Sequence, residues 1–498
     1  MYQQAPTRWT QLDGERSSLK WRSEKYAAFT VPKICLPEGY DQNSGKELQH
    51  DWQSLGAQAV NNLANKLMLA LFAPSRPFFR LDADAKTLAY FTQMGATNQD
   101  VMEALSVAER EAIKQLDKRS LRPKLLECLK HLVVVGNVLL ILDEEKTRVV
   151  GIKNYVCKRA VDGCVLEIMT KDCMTYMQLE PEIRALFANR KDEDKLDFYR
   201  WIKRDENGDY RLTQWVEDTV LPEKYDGKWQ EDNCPYRALT WDLADNCDYG
   251  TGYVEDYIGD FEALSSLAKA QVQGSILASE FRWLVNPQGQ TKPEDMANSI
   301  NGEAIPGQQG DITLVNAQTN NALAAIQAVS AEYSGRIARG FLMISGVTRN
   351  AERVTAEEIR MQANELETGV GGAYSRIAVD LQIPFSRFLL KLVDFKYKGK
   401  AIQPIIITGL DALSRNADAD SMKLWLGDMA QIINLPPIFK QGSIAAALAS
   451  AYGIRSSEYM VSPEEQEAMR QQQAQIQQQQ AMAAAGGQTP PPTDQASQ

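Results

Sequence analysis

Two histidines serve the whole 498-residue chain, and its seven cysteines include no CxxC pair. Each shortage closes off chemistry. A histidine-based triad would have to use His50 or His131, and neither stands beside a recognisable nucleophile; both read as ordinary helix positions. No GxSxG, HExxH or GxGxxG motif occurs. The stretch "GYDQNSGKE", Gly39 to Glu47, approaches a phosphate loop. Five residues separate its glycines instead of four, and Glu47 stands where Ser or Thr should hold magnesium. An odd number of scattered cysteines does not make a disulfide framework. Cys157, Cys164 and Cys173 are the closest group, and we expect buried, reduced thiols here, not a metal site. The expectation is a protein with no catalytic residue, no metal and no cofactor.

Long apolar runs are missing too. The longest, Leu132 to Leu142, "LVVVGNVLLIL", is interrupted by Gly136-Asn137 and is far shorter than the roughly 20 residues of a membrane span. The N-terminal "MYQQAPTRWTQLDGERSS" lacks an apolar h-region. A soluble protein made in a cytoplasm is expected, with no membrane partner. Nor is there an excess of positive charge: the formal net charge is -11. Residues 178–262 hold 22 acidic against 11 basic side chains, and the rest of the chain balances at 43 of each. This excludes a global polyanion binder, so any contact with nucleic acid must be local and weak.

What is present is largely helical periodicity, in a chain long enough for several cores. Residues 45–72 read as an amphipathic helix stopped by Pro74 and Pro77, with an extended segment from Phe78, Phe79 and Leu81. Further helices are expected over 99–118 and from Pro123 into the apolar run. From there to about residue 240, short β-like segments alternate with turns, and "KLDFYRWIKRDENGDYRLTQWVE" predicts a hairpin turning at Asn207-Gly208. Between Tyr253 and Phe281 the residues Val254, Ile258, Phe261, Leu264, Ala268, Val272 and Ile276 recur every three or four positions, predicting one long helix. A Gly-, Pro- and Asn-rich insert with two strand candidates follows, and then a second stripe of Leu323, Ile326, Val329, Tyr333, Ile337 and Phe341. The fold class expected is α+β, predominantly helical.

Beyond that pair lies "ISGVTRNAERVTAEEIRMQANE", Ile344 to Glu365, with Arg349 and Arg353 just ahead of a helix start. Thr355 is a good N-cap and Glu358 completes a capping box. Arginines there oppose the helix dipole. Either this is a solvated surface loop, or it meets something anionic. The following helix, from Thr355 towards Lys396, is weakened by Gly369, Gly371 and Gly372 and should kink at Pro384. "AIQPIIITG" reads as a strand, Asp411 to about Glu465 as a small helical domain, and the Gln/Ala run with "TPPPTDQASQ" as a disordered tail.

The order helix, insert, helix, then "ERVTAEEIR", "NELE" and "GGAYSRIAVDLQIPFSRFLL", resembles the portal, or head-to-tail connector, proteins of short-tailed, podovirus-type (Autographiviridae-like) double-stranded-DNA bacteriophages. "NNLANKLMLALFAPSRPFFRL", "YGTGYVEDYIGDFEALSSL" and the Gln/Ala-rich end are similar to the same family. The resemblance implies a closed ring, a dodecamer, around a DNA channel. It implies an N-terminal extension at 1–40, a wing at 41–250, stem helices at 251–282 and 321–345, and a clip at 283–320. A tunnel loop would occupy 346–354, a kinked wing or channel helix and strand 355–409, a crown 410–465 and a tail 466–498. Arg349 and Arg353 would then line the channel. Lys269, Arg336 and Arg339 on the stem would face the lumen or pair with a neighbouring subunit, and the clip residues Lys292, Glu294, Asp295 and Asp311 would meet partners. Implied partners are double-stranded DNA, the terminase large subunit, major capsid and scaffolding proteins, and tail adaptor and internal core proteins. Two other readings stay open. A terminase-like packaging enzyme is opposed by the missing phosphate loop; the other is a helical adaptor or scaffold of the virion.

Overall fold

In the computed structural model the chain begins with two helices, α1 (Ala5–Glu15) and α2 (Ser17–Phe29). The first lays Ala5, Trp9 and Leu12, one face of the helix, against Val156, Met169, Tyr199 and Trp201 of a sheet. Arg8 reaches the buried Glu167 carboxylate at 2.6 Å, and the Trp201 indole N–H donates to the same group. The stretch 1–40, read as an extension, therefore closes part of the sheet's core. Its i, i+4, i+7 spacing carried the signal.

The structure describes most of residues 4–408, together with Gly427 and Asp428. Residues 41–47, 73–77, 83–88, 317–319, 344–364 and 402–404 lie outside the described residues, as do a few single positions and pairs and the rest of the chain from 409. Two units divide the chain, 1–412 and 413–498. The expected helical domain at 411–465 and the tail fall outside the described residues.

Helix α3 (Leu55–Leu71) starts ten residues later than its periodicity predicts. The Gln53 side chain is the reason: its amide oxygen accepts from Gly56 N at 2.8 Å while its amide nitrogen donates to Phe29 O at 2.8 Å. His50 thus precedes the helix and does not belong to it. After β1 (Phe79–Asp82) come α4 (Asn98–Lys118) and α5 (Leu121–Val135), close to expectation.

The apolar run changes structure at its centre. Helix α5 ends at Gly136, whose φ of +77 lets its N–H turn back to Leu132 O at 2.9 Å. A Cβ there would stand 2.2 Å from the carbonyl carbon of Thr251, so this glycine is also needed for a close approach of two backbones. Strand β2 (Asn137–Ile141) follows at once and is buried throughout. Antiparallel to it on either side run β3 (Arg148–Val150) and, later, a strand at Tyr236–Thr240.

A second antiparallel sheet takes β4 (Tyr155–Arg159), β5 (Val165–Thr175), β6 (Lys195–Arg204), β7 (Tyr210–Val216) and β8 (Thr219–Val220) in chain order. Helix α6 (Pro181–Leu186) interrupts between β5 and β6, and β9 (Gly227–Trp229) pairs with β7. The β6–β7 hairpin turns at Asp205–Asp209 with Gly208 at φ +86, as its Asn-Gly signal predicts. The strand at 236–240 is β10.

Helix α7 (Tyr253–Asp256) and helix α8 (Ile258–Ser279) replace the single helix expected, broken at Tyr257. Strand β11 (Phe281–Val285) begins where that helix was to end. The insert adds α9 (Pro293–Asn298) and closes with β12 (Ile312–Asn316), antiparallel to β11. Helix α10 (Asn320–Gly340) returns along α8. Near Gly369–Gly372 the expected long helix is interrupted, with Gly372 at φ +84. It resumes as α11 (Ala373–Ile377), passes through a π-helical turn at Ala378–Gln382 and continues as α12 (Ile383–Val393). The π turn sits just before Pro384, whose missing N–H would leave an α-helical carbonyl without a donor. Two short strands, β13 (Lys396–Tyr397) and β14 (Lys400–Ala401), precede β15 (Ile405–Thr408), which pairs with β1.

The cysteines are all free; Cys35, Cys128, Cys157 and Cys234 are buried, whereas Cys173 and Cys247 are exposed, contrary to the expectation of uniformly buried thiols. His131, inside α5, is 7% exposed, and its Nδ1 has no hydrogen-bond partner among the described residues. Burial pushes its pKa down from 6.5 to about 4, against the opposing pull of Glu127. A group whose pKa is depressed by folding contributes stability fully above its unfolded value and loses it as pH falls through the folded one. Between pH 6.5 and 4 the wild-type protein should therefore lose about 3 kcal/mol more than His131→Leu, measured by urea midpoints across that range. Parallel profiles for the two proteins would clear His131 of any part in acid sensitivity.

Candidate functional site

The paired helices α8 and α10 hold Lys269, Arg336 and Arg339, which the resemblance sets facing a lumen or pairing with a neighbouring subunit, and aromatic packing fixes their foot. Tyr253, Tyr257 and Phe261 surround the Phe341 ring with centroid distances of 5.1, 5.2 and 5.7 Å. The Tyr253 hydroxyl donates to Gly340 O at 2.8 Å. A Cβ on Gly340 would meet the Tyr257 ring at 2.5 Å, so the bare backbone is what admits the ring. From α3, the Asn62 amide donates to the carbonyls of Phe341 and Leu342 at 2.9 and 3.2 Å. These bonds satisfy carbonyls at the end of α10 that the helix itself leaves without partners.

Away from the foot the packing thins. Phe261, Leu264, Ile337 and Phe341 are buried. Val272, Ile276 and Leu277 on α8 are 44, 56 and 53% exposed, and Val329 on α10 is 42% exposed. The apolar stripes continue with unchanged spacing, but their distal halves are more exposed than the foot.

The cations on these helices separate into two kinds. Arg336 is tied within its own chain: it pairs with Asp260 at 3.1 Å and lies over the Tyr333 ring at 5.0 Å. Lys269 and Arg339 are exposed and make no ion pair among the described residues. Arg349 and Arg353 lie outside the described residues, as do Thr355 and Glu358. Just beyond them, Glu365 of "NELE" pairs at 3.6 Å with Lys66 of α3, which is 6% exposed. Nothing in the sequence marked Lys66 or Asp260 as partners, because each pair joins segments far apart in the chain.

The insert between β11 and β12 divides its four candidates. Lys292, Glu294 and Asp295 are exposed at the start of α9. Asp311 is only 7% exposed, and this corrects its assignment to a partner-facing surface. Its Oδ2 accepts from the backbone N–H groups of Gln290, Thr291 and Gln308 and from the Thr291 hydroxyl. The Gln308 amide, then the desolvation it outweighs, then the Thr291 and Gln290 amides leave this carboxyl below its usual range. Asp311 is thus the bolt that ties the two loops of the insert together. Asp311→Ala should leave the rest of the fold intact and speed amide exchange at Gln290, Thr291 and Gln308 at least tenfold, read by hydrogen–deuterium exchange. Unchanged protection there would show that the loops hold without it.

No group of three or more His, Cys, Asp or Glu side chains suited to a metal occurs among the described residues. The profile of the bacteriophage head to tail connecting proteins matches residues 2–459. The portal protein of Enterobacteria phage T3 is 32% identical over 485 residues, covering 93% of this chain and 89% of its own. That of Escherichia phage T7 is 33% identical over 477 residues, covering 92% and 88%. The portal protein of Enterobacteria phage SP6 is 31% identical over 464 residues, covering 91% and 86%. Matched nearly from end to end, this chain belongs to the bacteriophage head to tail connecting proteins.

Proposed function

We propose that the protein is a phage portal: a closed dodecameric ring at the unique capsid vertex, through which double-stranded DNA enters in packaging and leaves in ejection. The observation that carries this reading is the connector match over residues 2–459, together with relatives that are named portal proteins. Those names also favour a structural, non-enzymatic role. In this reading 41–250 and 355–409 form the wing, α8 and α10 the stem, 283–320 the clip, 346–354 the tunnel loop and 410–465 the crown. The protein is then part of the virion, after assembly in the host cytoplasm. No helix among the described residues is long and apolar enough to cross a membrane.

The half-exposed distal stripe supports a ring. Val272, Ile276, Leu277 and Val329 leave a half-exposed apolar strip on the helix pair, and neighbouring copies repeated around an axis would cover it. In the ring, Lys269 and Arg339 are the stem cations free to meet phosphate, since Arg336 is held by Asp260. Arg349 and Arg353 give a further basic circle. Arginine or lysine on phosphate holds DNA without reading sequence, as a strand that must slide requires. The exposed Lys292, Glu294 and Asp295 would meet the terminase large subunit and later the tail adaptor. The outer surface of the ring would meet the major capsid and scaffolding proteins, with internal core proteins at the crown.

Native mass spectrometry at micromolar concentration should show a closed ring of wild-type protein and loss of that ring for Val272→Asp combined with Ile276→Asp. Monomer or a two-fold dimer alone in the wild type would sink the proposal. A separate test concerns the tunnel loop. Arg349→Ala with Arg353→Ala should preserve the ring and reduce the length of DNA packaged or retained, with the same effect for every sequence. Unchanged packaging and retention in mutant procapsids would return the loop to an ordinary solvated surface.

A further inference from the structure

Strand β5 is longer than its neighbour on one side. It pairs with β6 from Glu167 to Thr175, but with β4 only as far as Thr170, opposite Tyr155. The backbone of Lys171 to Thr175 therefore has an open edge where β4 has ended. Hydrogen-bond parity shows which groups face that edge. Tyr176 N donates to Asp194 O at 2.9 Å, which continues the β5–β6 ladder through the even-numbered residues of β5. On β6, the odd-numbered Asp197 O accepts from Glu217 N at 2.9 Å on the opposite side, as the same alternation demands. The N–H and C=O of Lys171 and Cys173 thus point away from β6, and neither residue has another backbone partner among the described residues. Thr175 N, next in the series, is already met by the Gln178 side chain at 3.0 Å.

This edge borders a cavity of about 750 Å³. Five cations line it, Lys146, Arg148, Lys153, Lys171 and Arg200, against a single carboxylate, Asp172. Asp172 cannot neutralise the two arginines it holds: Arg148 reaches it at 2.8 and 3.0 Å and Arg200 at 2.5 Å. Lys171 pairs with Asp197 at 2.6 Å and Lys153 with Glu24, while exposed Lys146 makes no ion pair among the described residues. The cavity is thus net positive in a chain whose formal net charge is -11. Lys171 and Asp172 are successive residues of one strand, so the cations flank the edge on both faces of the sheet.

The geometry points to a docking site for a short acidic segment of a partner protein, added in extended form to β5 at Lys171–Cys173. The unpaired amides select a peptide over a nucleic acid, because phosphate can accept the two N–H groups but offers no donor to the two carbonyls. The cations select carboxylate side chains, and at alternate positions of an extended strand these all lie on one face, against the cations on that face of the edge. The space beyond β4 admits about five residues, enough for the rungs at Lys171 and Cys173.

The test uses the full-length protein and a labelled ten-residue peptide of alternating glutamate and threonine, followed by fluorescence anisotropy and by hydrogen–deuterium exchange over 171–175. Binding should slow exchange in that segment. The same peptide N-methylated at alternate amides keeps its charge and should bind at least tenfold more weakly. Cys173→Pro should weaken the unmodified peptide at least tenfold, since its N–H lies outside the β6 ladder and proline is tolerated there. Lys146→Glu should weaken it about threefold, about 0.6 kcal/mol. The methylated peptide needs no variant, so the outcome stands even if Cys173→Pro misfolds. Equal binding of the two peptides, or equal competition by a short DNA duplex, would reduce the cavity to a general anion attractor and overturn the proposal. Full protection of 171–175 before peptide is added would mean that this chain or a second copy already fills the edge, and would overturn it as well.

Discussion

The buried amide of Asn137 is the hinge pin of the described fold. Its nitrogen donates to Gly250 O at 2.6 Å and to Val135 O at 3.1 Å, and its oxygen accepts from Gly250 N at 2.8 Å. The side chain is fully buried, so each bond replaces water that cannot enter. An unmatched buried amide group costs about 1–3 kcal/mol, which makes this two-way clamp demanding of position. It can form only because Gly136 and Gly252 let the backbones touch: a Cβ on Gly252 would lie 2.6 Å from Val134 O. Two distant loops are thereby held together, one ending helix α5 and the other opening α7. Helices α8 and α10 continue from that junction through Tyr253 and Phe341, with Asn62 of α3 bonded at the same foot.

Charge obeys a similar economy of position. The acidic excess at 178–262 does not make that region a uniform anionic surface, because many carboxylates there and nearby are matched. Arg8 meets Glu167, Lys158 meets Asp248, and Arg148 and Arg200 share Asp172. Most of these pairs are partly exposed and contribute little to stability singly. Their larger effect is to fix where unmatched charge remains. On the helix pair that leaves Lys269 and Arg339, and beside β5 it leaves a positive cavity. A chain with a formal net charge of -11 can therefore present separate basic features without being a general polyanion binder.

Much of the architecture was legible in the sequence where one local rule acted alone. Periodicity located α4 and both members of the helix pair, and Asn207-Gly208 located the β6–β7 turn. Errors arose where a distant partner decided the outcome. Gln53 delayed α3 by reaching back to Phe29, and the shared helical face of Ala5, Trp9 and Leu12 does not say which sheet receives Trp9. The broken helix at Tyr257 places that ring against Gly340, a contact 83 residues away in sequence. At the candidate site the same limit applied: the charge of Arg336 and Asp311 was visible, but not that Asp260 holds the one and that backbone amides surround the other. Neither correction follows from residue type or spacing.

The helix pair shows most directly what periodicity can and cannot say. From Phe261 to Ile276 the apolar residues of α8 recur with one spacing, and that spacing means only that some surface covers them. For Phe261 and Leu264 the surface is the chain itself, through Phe341. Val272, Ile276 and Leu277 remain about half exposed. The change comes midway along a single helix, so it cannot arise from a difference in helix propensity. It marks the distance to which the chain's own core reaches. In the proposed ring the remaining length is covered by neighbours, and the stem then becomes rigid only as subunits join. The foot, closed by Asn62, Tyr253 and Phe341, needs no neighbouring copy for these contacts. Folding and ring formation would then act on successive lengths of the same two helices.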